Sequence, residues 1–198
     1  MSIEGKTVKQ VLGNPQIIYP DAPVFGWRDI TAQVNVRGVG VADPDWSQIG
    51  ASPFFAYKFA VNDQAWFAFH VPHDIVPGAD VHFHAHWIAD GTNAAAVKWE
   101  WTYTYAKGFN QGNFNATGTV VTAEQAAAGT AYRHMVTETA AVAIPGLTEP
   151  DGIIYVRLRR VTNGAVDNTN GIFLLTSDIH YQTTDAATIG KAPNFYSE

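Results

Sequence analysis

Along several stretches of this chain apolar and polar residues alternate one for one, a period of two that predicts β-strands. The clearest stretch runs from Ala79 to Trp87, with Val81, Phe83, Ala85 and Trp87 on one side and His82, His84 and His86 on the other. A second, Lys98 to Tyr105, sets Trp99, Trp101, Tyr103 and Tyr105 opposite Lys98, Glu100, Thr102 and Thr104. Strands are predicted over 32–41, 54–60, 65–71, 81–89, 97–106, 118–122, 132–144, 152–161 and 172–183. Turn formers stand between them, among them Asp43-Pro44-Asp45, Pro77-Gly78, Asp90-Gly91, Pro145-Gly146 and Asn163-Gly164. Strands at this rhythm, with almost no helical periodicity, predict an all-β fold: a two-layer antiparallel β-sandwich of jelly-roll type. One short helix is predicted over 122–129, where Thr122 and Gln125 have capping-box spacing, alanines follow and Gly129 can close the turn. A hairpin centred near Asn93 would pair the two alternating strands, with Trp87 opposite Trp99 and His86 opposite Glu100. Whatever the register, the aromatic faces of both strands are expected to point the same way, because burial demands it.

Residues 1–32 break the pattern. They carry Pro15, Pro20 and Pro23 with Gly13 and Gly26, which forbids a long helix. Val8, Val11, Leu12, Ile17, Ile18 and Tyr19 are too apolar for a tail kept in water. The expectation is an extended N-terminal arm over 1–32, laid on the body or on a neighbour, and a β-sandwich domain over 33–198.

Composition narrows the function classes. A chain of 198 residues can bury a full core in one domain. A formal charge of −6 argues against nucleic acid, whose binders need a basic surface. The absence of cysteine removes disulfides, thiolate nucleophiles and Cys-type zinc sites. No signal-peptide pattern opens the chain and no apolar run approaches a membrane span, so neither a membrane nor nucleic acid is an expected partner.

The candidate chemistry lies in the histidine row. Neutral imidazole is the commonest protein metal ligand, and His-x-His on a strand sets two rings on one face about 7 Å apart at the backbone. His82, His84 and His86 are therefore the candidate metal residues, for a structural zinc or nickel ion. Three rings on a flat strand span too far for one ion to take all of them. A further ligand would come from His180, His70, His73, Glu100 or Asp178, or from other copies of the chain at a subunit axis. His-x-His also resembles the cupin motif, but no glutamate follows at cupin spacing and the second cupin motif is absent. The competing expectation is that the row is the polar face of a half-buried sheet, with no cofactor. Asp178 and His180 share a strand face, as do Arg157 and Arg159, for which a solvated strand edge or a pairing with neighbouring acids is expected. Ser47, Ser52 and Ser177 stand in no nucleophile-elbow context, and no catalytic residue is assigned.

Phe69-His70-Val71-Pro72-His73, the run Asp80 to Trp87, the Trp99–Tyr105 strand and Asp178-Ile179-His180-Tyr181-Gln182, in that order, resemble a family of tailed-bacteriophage virion proteins. The resemblance covers roughly residues 54–183, and its most specific element is the His-x-His-x-His-Trp strand. It implies a virion location, on the capsid surface or in the tail, after synthesis in the host cytoplasm. It also implies a capsid cement or decoration subunit, a homotrimer that binds the major capsid protein or other virion proteins and is not an enzyme. Two other classes stand beside this expectation. One is a tail, receptor- or carbohydrate-binding module that uses Trp27, Trp46 or Tyr57 as a stacking platform. The other is a small metal-dependent β-sandwich enzyme, cupin-like, built on two of the histidines.

Overall fold

The alternating stretches form strands because one side of each can be buried while the other stays polar. The computed structural model describes residues 26–37, 42–164 and 166–184, with the backbone of residues 2–3 and 6–7. Among these, β1 (Ser2–Ile3) and β2 (Lys6–Thr7) pair with each other. The body comprises β3 (Gly26–Thr31), β4 (Asp45–Gln48), β5 (Phe55–Phe59), β6 (Gln64–His70), β7 (His82–Ala89), β8 (Ala96–Ala106), β9 (Thr119–Ala126), β10 (Met135–Glu138), β11 (Ile153–Val161) and β12 (Ile172–Thr183). One sheet runs β10-β7-β12-β5-β4, with β3 beside the far end of β12, and the other runs β6-β11-β8-β9. All pairings are antiparallel. From β5 to β12 the orders β10-β7-β12-β5 and β6-β11-β8-β9 are those of a jelly roll, two Greek keys folded into a sandwich. The predicted fold class is the observed one.

The core lies between the sheets. Phe83 and Trp87 of β7 and Phe59 of β5 meet Trp99, Trp101 and Tyr103 of β8. Ring centroids are 5.3 Å apart for Phe83 and Tyr103, 6.5 Å for Phe83 and Trp101, and 5.4 Å for Phe59 and Trp99. Phe67, Phe69, Ile154 and Leu158 complete the layer, all fully buried. Each such side chain removes about 1.5–3 kcal/mol worth of apolar surface from water. Trp87 also donates its indole N–H to Thr137 Oγ1 at 2.9 Å, which satisfies the polar atom it carries into the core.

Several expectations need correction. The two alternating strands do not form a hairpin: β7 and β8 belong to opposite sheets, and residues 90–95 arch between them. The two aromatic faces therefore do not point the same way: each turns to the core from its own sheet, and they pack face to face. Residues 119–126 form a strand rather than the start of a helix, because Val121 and Ala123 pair with Trp101 and Trp99 and pack on the core. Tertiary burial here overrides the helix propensity of alanine. The strand predicted over 32–41 is reduced to a bridge between Asn35 and Trp66, and 38–41 lie outside the described residues. That predicted over 132–144 shortens to β10 plus a bridge from Val142 to Val81. β4 stands where only a turn was predicted. Within the expected arm, Gly26–Thr31 is a strand that pairs with β12 of the body. The rest of the arm, apart from Ala32 and the β1–β2 pairing, lies outside the described residues.

The loop after β6 ties β3 and β12 together through Asp74. Its carboxylate accepts from Arg28 at 2.5 Å, from the Tyr181 hydroxyl at 2.9 Å and from Thr183 Oγ1 at 2.8 Å. Burial, and then the Asp74 carboxylate, push the Tyr181 hydroxyl up to about 12. Burial, with the Glu149 charge behind it, does the same to Tyr105, also to about 12.

Two predictions follow from this packing. Phe83→Ala should cost about 3–5 kcal/mol in denaturant unfolding, while Val136→Ala, on the exposed side of β10, should stay within about 0.5 kcal/mol. Similar losses for both would contradict the assignment of faces. Unfolded tyrosine loses its proton near pH 10, so between about pH 10 and 12 the native state holds protons that the unfolded chain has lost. The stability tied to these two hydroxyls is complete below pH 10 and falls as pH rises through that window. Tyr105→Phe and Tyr181→Phe should each flatten the decline in Tm between pH 10 and 12; slopes equal to the wild type would refute this.

Candidate metal centre

With Phe83, Ala85 and Trp87 committed to the core, the two-residue period sends His82, His84 and His86 to the outer face of the larger sheet. β12 lies beside them, and a bulge decides which of its residues join them. Leu174 pairs with Trp87 and Thr176 with His86, leaving Leu175 as an extra residue between the two rungs. Before the bulge Ile172 and Leu174 point into the core; after it Ser177, Ile179 and Tyr181 do. The shift in phase turns Asp178 and His180 outward, opposite His84 and His82. On the other flank β10 sets Glu138 opposite His84, and β3 sets Asp29 opposite His180.

These side chains converge. His84 is only 3% exposed, and its Nε2 lies 2.6 Å from Glu138 Oε2. Its other ring nitrogen, Nδ1, is buried, has no hydrogen-bond partner among the described residues and lies 3.8 Å from Asp178 Oδ1. His86 Nε2 is 2.9 Å from the same oxygen, and its Nδ1 is 2.9 Å from His134 Nε2. The His86 contact is close but off-axis, so Asp178 Oδ1 has no aligned donor among the described residues although its side chain is almost wholly buried. His180 Nε2 meets Asp29 at 2.5 Å, and its ring stands edge-on to His84 with centroids 3.7 Å apart. Ligand atoms of His84, His86 and Asp178 all lie within 4.8 Å of one another. The same holds for His84, Glu138 and His180, and for Asp29, Asp178 and His180. Beside the cluster is a cavity of about 360 Å³ lined by Trp27, His82, Glu138 and His180.

Burial pushes the His84 imidazole below its ordinary value, against the pull of Glu138, and so favours the neutral ring. The Asp178 carboxylate beside His86 outweighs burial there and raises that imidazole. For Asp178, burial works upward, but the contact and charge of His86, with His84 and His180 behind them, hold the carboxyl below its usual range. The arrangement is a buried carboxylate set among imidazoles, the donor chemistry of a transition-metal site.

Of the three histidines in the row, two belong to this convergence. His82 turns its Nδ1 to the Thr139 carbonyl at 3.0 Å and its ring edge to Trp27, and it joins none of the three ligand groups. His180 and Asp178, named in the sequence as further ligands, are both present. His70 and His73 are elsewhere, each about 3 Å from Asp151. Glu100 is in the other sheet, between Arg157 at 3.2 Å and Arg159 at 2.9 Å, the acid pairing expected for those arginines. Glu138, His134 and Asp29 were missed. The sequence signal for Glu138 is its alternation with Thr137 and Thr139, but nothing local places β10 beside β7.

No protein-family model matches the sequence, and no curated protein matches it. Among solved structures the chain is similar to the xylan-binding module CBM15, at a TM-score of 0.37 and 9% identity over 81% of this chain and 97% of that one. It is also similar to a chain in the structure of infectious bursal disease virus, Gt strain, at a TM-score of 0.34 and 10% identity over 91% of this chain and 37% of that one. For the Gx strain the TM-score is 0.29 and the identity 12%, over 77% of this chain and 39% of that one. The chain thus spans less than two-fifths of the viral chains it matches. Likenesses of this strength carry no argument about function.

Proposed function

We propose that this chain is a non-catalytic structural subunit of a bacteriophage virion, a capsid cement or decoration protein that acts as a homotrimer and binds coat-protein capsomers. The observation that carries the reading is an aromatic patch at the β4 edge of the larger sheet. Trp46 and Phe55 share a face with Tyr57 and Phe59. Phe59 is in the core and Tyr57 packs against it, yet Trp46 is 61% exposed and Phe55 48%. Trp46 stacks on Phe55 with centroids 6.3 Å apart and planes 16° from parallel, and Phe54 beside them is 69% exposed. The apolar face that builds the core therefore continues past the edge of the sandwich into water, on a strand whose outer backbone edge has no pairing among the described residues. A subunit that docks on a larger surface needs such a patch. The jelly roll, common among capsid and lectin domains, suits this reading without selecting it. The sequence resemblance supplies the virion setting.

The same stacked Trp46 and Phe55 favour one alternative, a carbohydrate-binding virion module, because an exposed flat aromatic pair can stack on a sugar ring. A metal-dependent enzyme is less well supported, since His84 and Asp178 are buried and a reacting group needs access.

The double variant Trp46→Ala/Phe55→Ala separates these. It should fold with a Tm close to the wild type and bind capsid shells that lack the protein at least tenfold more weakly. Capsid binding equal to the wild type, or labelling that puts the protein on the tail, would overturn the cement reading. Glycan binding lost in the same variant would establish the alternative.

A further inference from the structure

We propose that His84, His86 and Asp178 of a single chain bind one divalent transition-metal ion, zinc or nickel, with Glu138 and His134 fixing the two imidazole tautomers from outside. The inference is independent of the capsid reading. It differs from a site on the whole histidine row, because it leaves out His82 and needs no second copy of the chain.

The argument starts from proton positions. Glu138 Oε2 is 2.6 Å from His84 Nε2, and a half-exposed carboxylate accepts, so Nε2 carries the proton. In the neutral ring Nδ1 is then a bare lone pair. It faces Asp178 Oδ1, an acceptor as well, at 3.8 Å. Both atoms are sealed from water, and among the described residues neither has an aligned hydrogen-bond partner, the nearest group to Asp178 Oδ1 being His86 Nε2. Two buried acceptors this close repel, and leaving the His84 Nδ1 lone pair buried without a partner costs about 1–3 kcal/mol. A cation between them removes both penalties. The third donor is in place: His86 Nε2 lies 2.9 Å from the same oxygen without hydrogen-bond alignment, which is how two ligands of one ion approach each other. Ligands on a tetrahedral zinc with bonds of about 2.0–2.1 Å sit about 3.3 Å apart, and the observed 2.9 and 3.8 Å bracket that spacing.

The outer partners point the same way. A metal-binding histidine usually donates its other ring N–H to a carboxylate or another acceptor, which fixes the tautomer. Glu138 does this for His84. For His86, Nδ1 lies 2.9 Å from His134 Nε2, which can accept a hydrogen bond from the Nδ1–H and so leave the lone pair on the His86 Nε2. On the carboxylate side His180, held by Asp29, lies 4.0 Å from Asp178 Oδ2. Two imidazoles and one carboxylate suit a borderline divalent ion better than calcium or magnesium.

The test uses full-length protein dialysed against EDTA and then titrated with zinc or nickel chloride by calorimetry, with Tm followed in parallel. The wild type should bind one ion per chain and melt at a higher temperature when loaded. His86→Ala, at a partly exposed position that should still fold, and Asp178→Asn should each weaken binding at least a hundredfold and abolish the rise in Tm. Glu138→Ala should weaken it about 10–100-fold. His82→Ala should bind within about twofold of the wild type. No stoichiometric uptake of either metal by the wild type would overturn the proposal. So would loss of binding in His82→Ala with retention in His86→Ala, or a zinc-soaked crystal showing only water between His84 and Asp178.

Discussion

The burial of Phe83, Ala85 and Trp87 against Trp99, Trp101 and Tyr103 of the opposite sheet is the interaction on which the rest depends. A strand has only two faces, so committing the odd-numbered residues of β7 to the core leaves the even-numbered histidines no choice of side. The hydrophobic effect thus orients the polar chemistry. β7 lies between β10 and β12, and these flanking strands close around its imidazoles with Glu138 on one side and Asp178 and His180 on the other. His84 is buried by polar neighbours on the outer face of a sheet, which is why its hydrogen bonding must be accounted for atom by atom.

How much of this was legible in the sequence can be traced residue by residue. Strict alternation in 81–87 and 98–105 announced strands and their buried faces, and turn residues at short intervals announced a sandwich. Alternation carries no information about which strands are neighbours, however. It could not show that β7 and β8 face each other across the core and do not pair. It could not show that Met135–Glu138, four residues with weak patterning, is the strand beside the histidines. The alanines of 122–128 favoured helix locally, and only contact with Trp99 and Trp101 explains why they do not form one. Asp178 and His180 were recognised as sharing a face. Which face was hidden by the bulge at Leu175, whose extra residue reverses the phase of β12.

Two surfaces follow from one framework. At the β4 edge the inner apolar face runs on past the sandwich and leaves Trp46 and Phe55 in water. On the outer face across β10, β7, β12 and β3, carboxylates and imidazoles gather where apolar packing is absent. The first suits attachment to another molecule. The second suits bracing strands from within: an ion held by His84 and His86 of β7 and by Asp178 of β12 would lock two adjacent strands at the point where the bulge interrupts their ladder. A stiff body and an adhesive edge are compatible demands on a single chain.

The central claim is that His84 is a neutral ring with its proton on Nε2 and a lone pair on Nδ1 facing the Asp178 carboxylate. Nitrogen-15 NMR of the imidazole side chains in metal-free protein near pH 7 reads this directly. The account predicts a protonated Nε2 and an unprotonated Nδ1 for His84. A proton on Nδ1, whether in the other tautomer or in an imidazolium, would make the His84–Asp178 contact an ordinary donor–acceptor pair and contradict it.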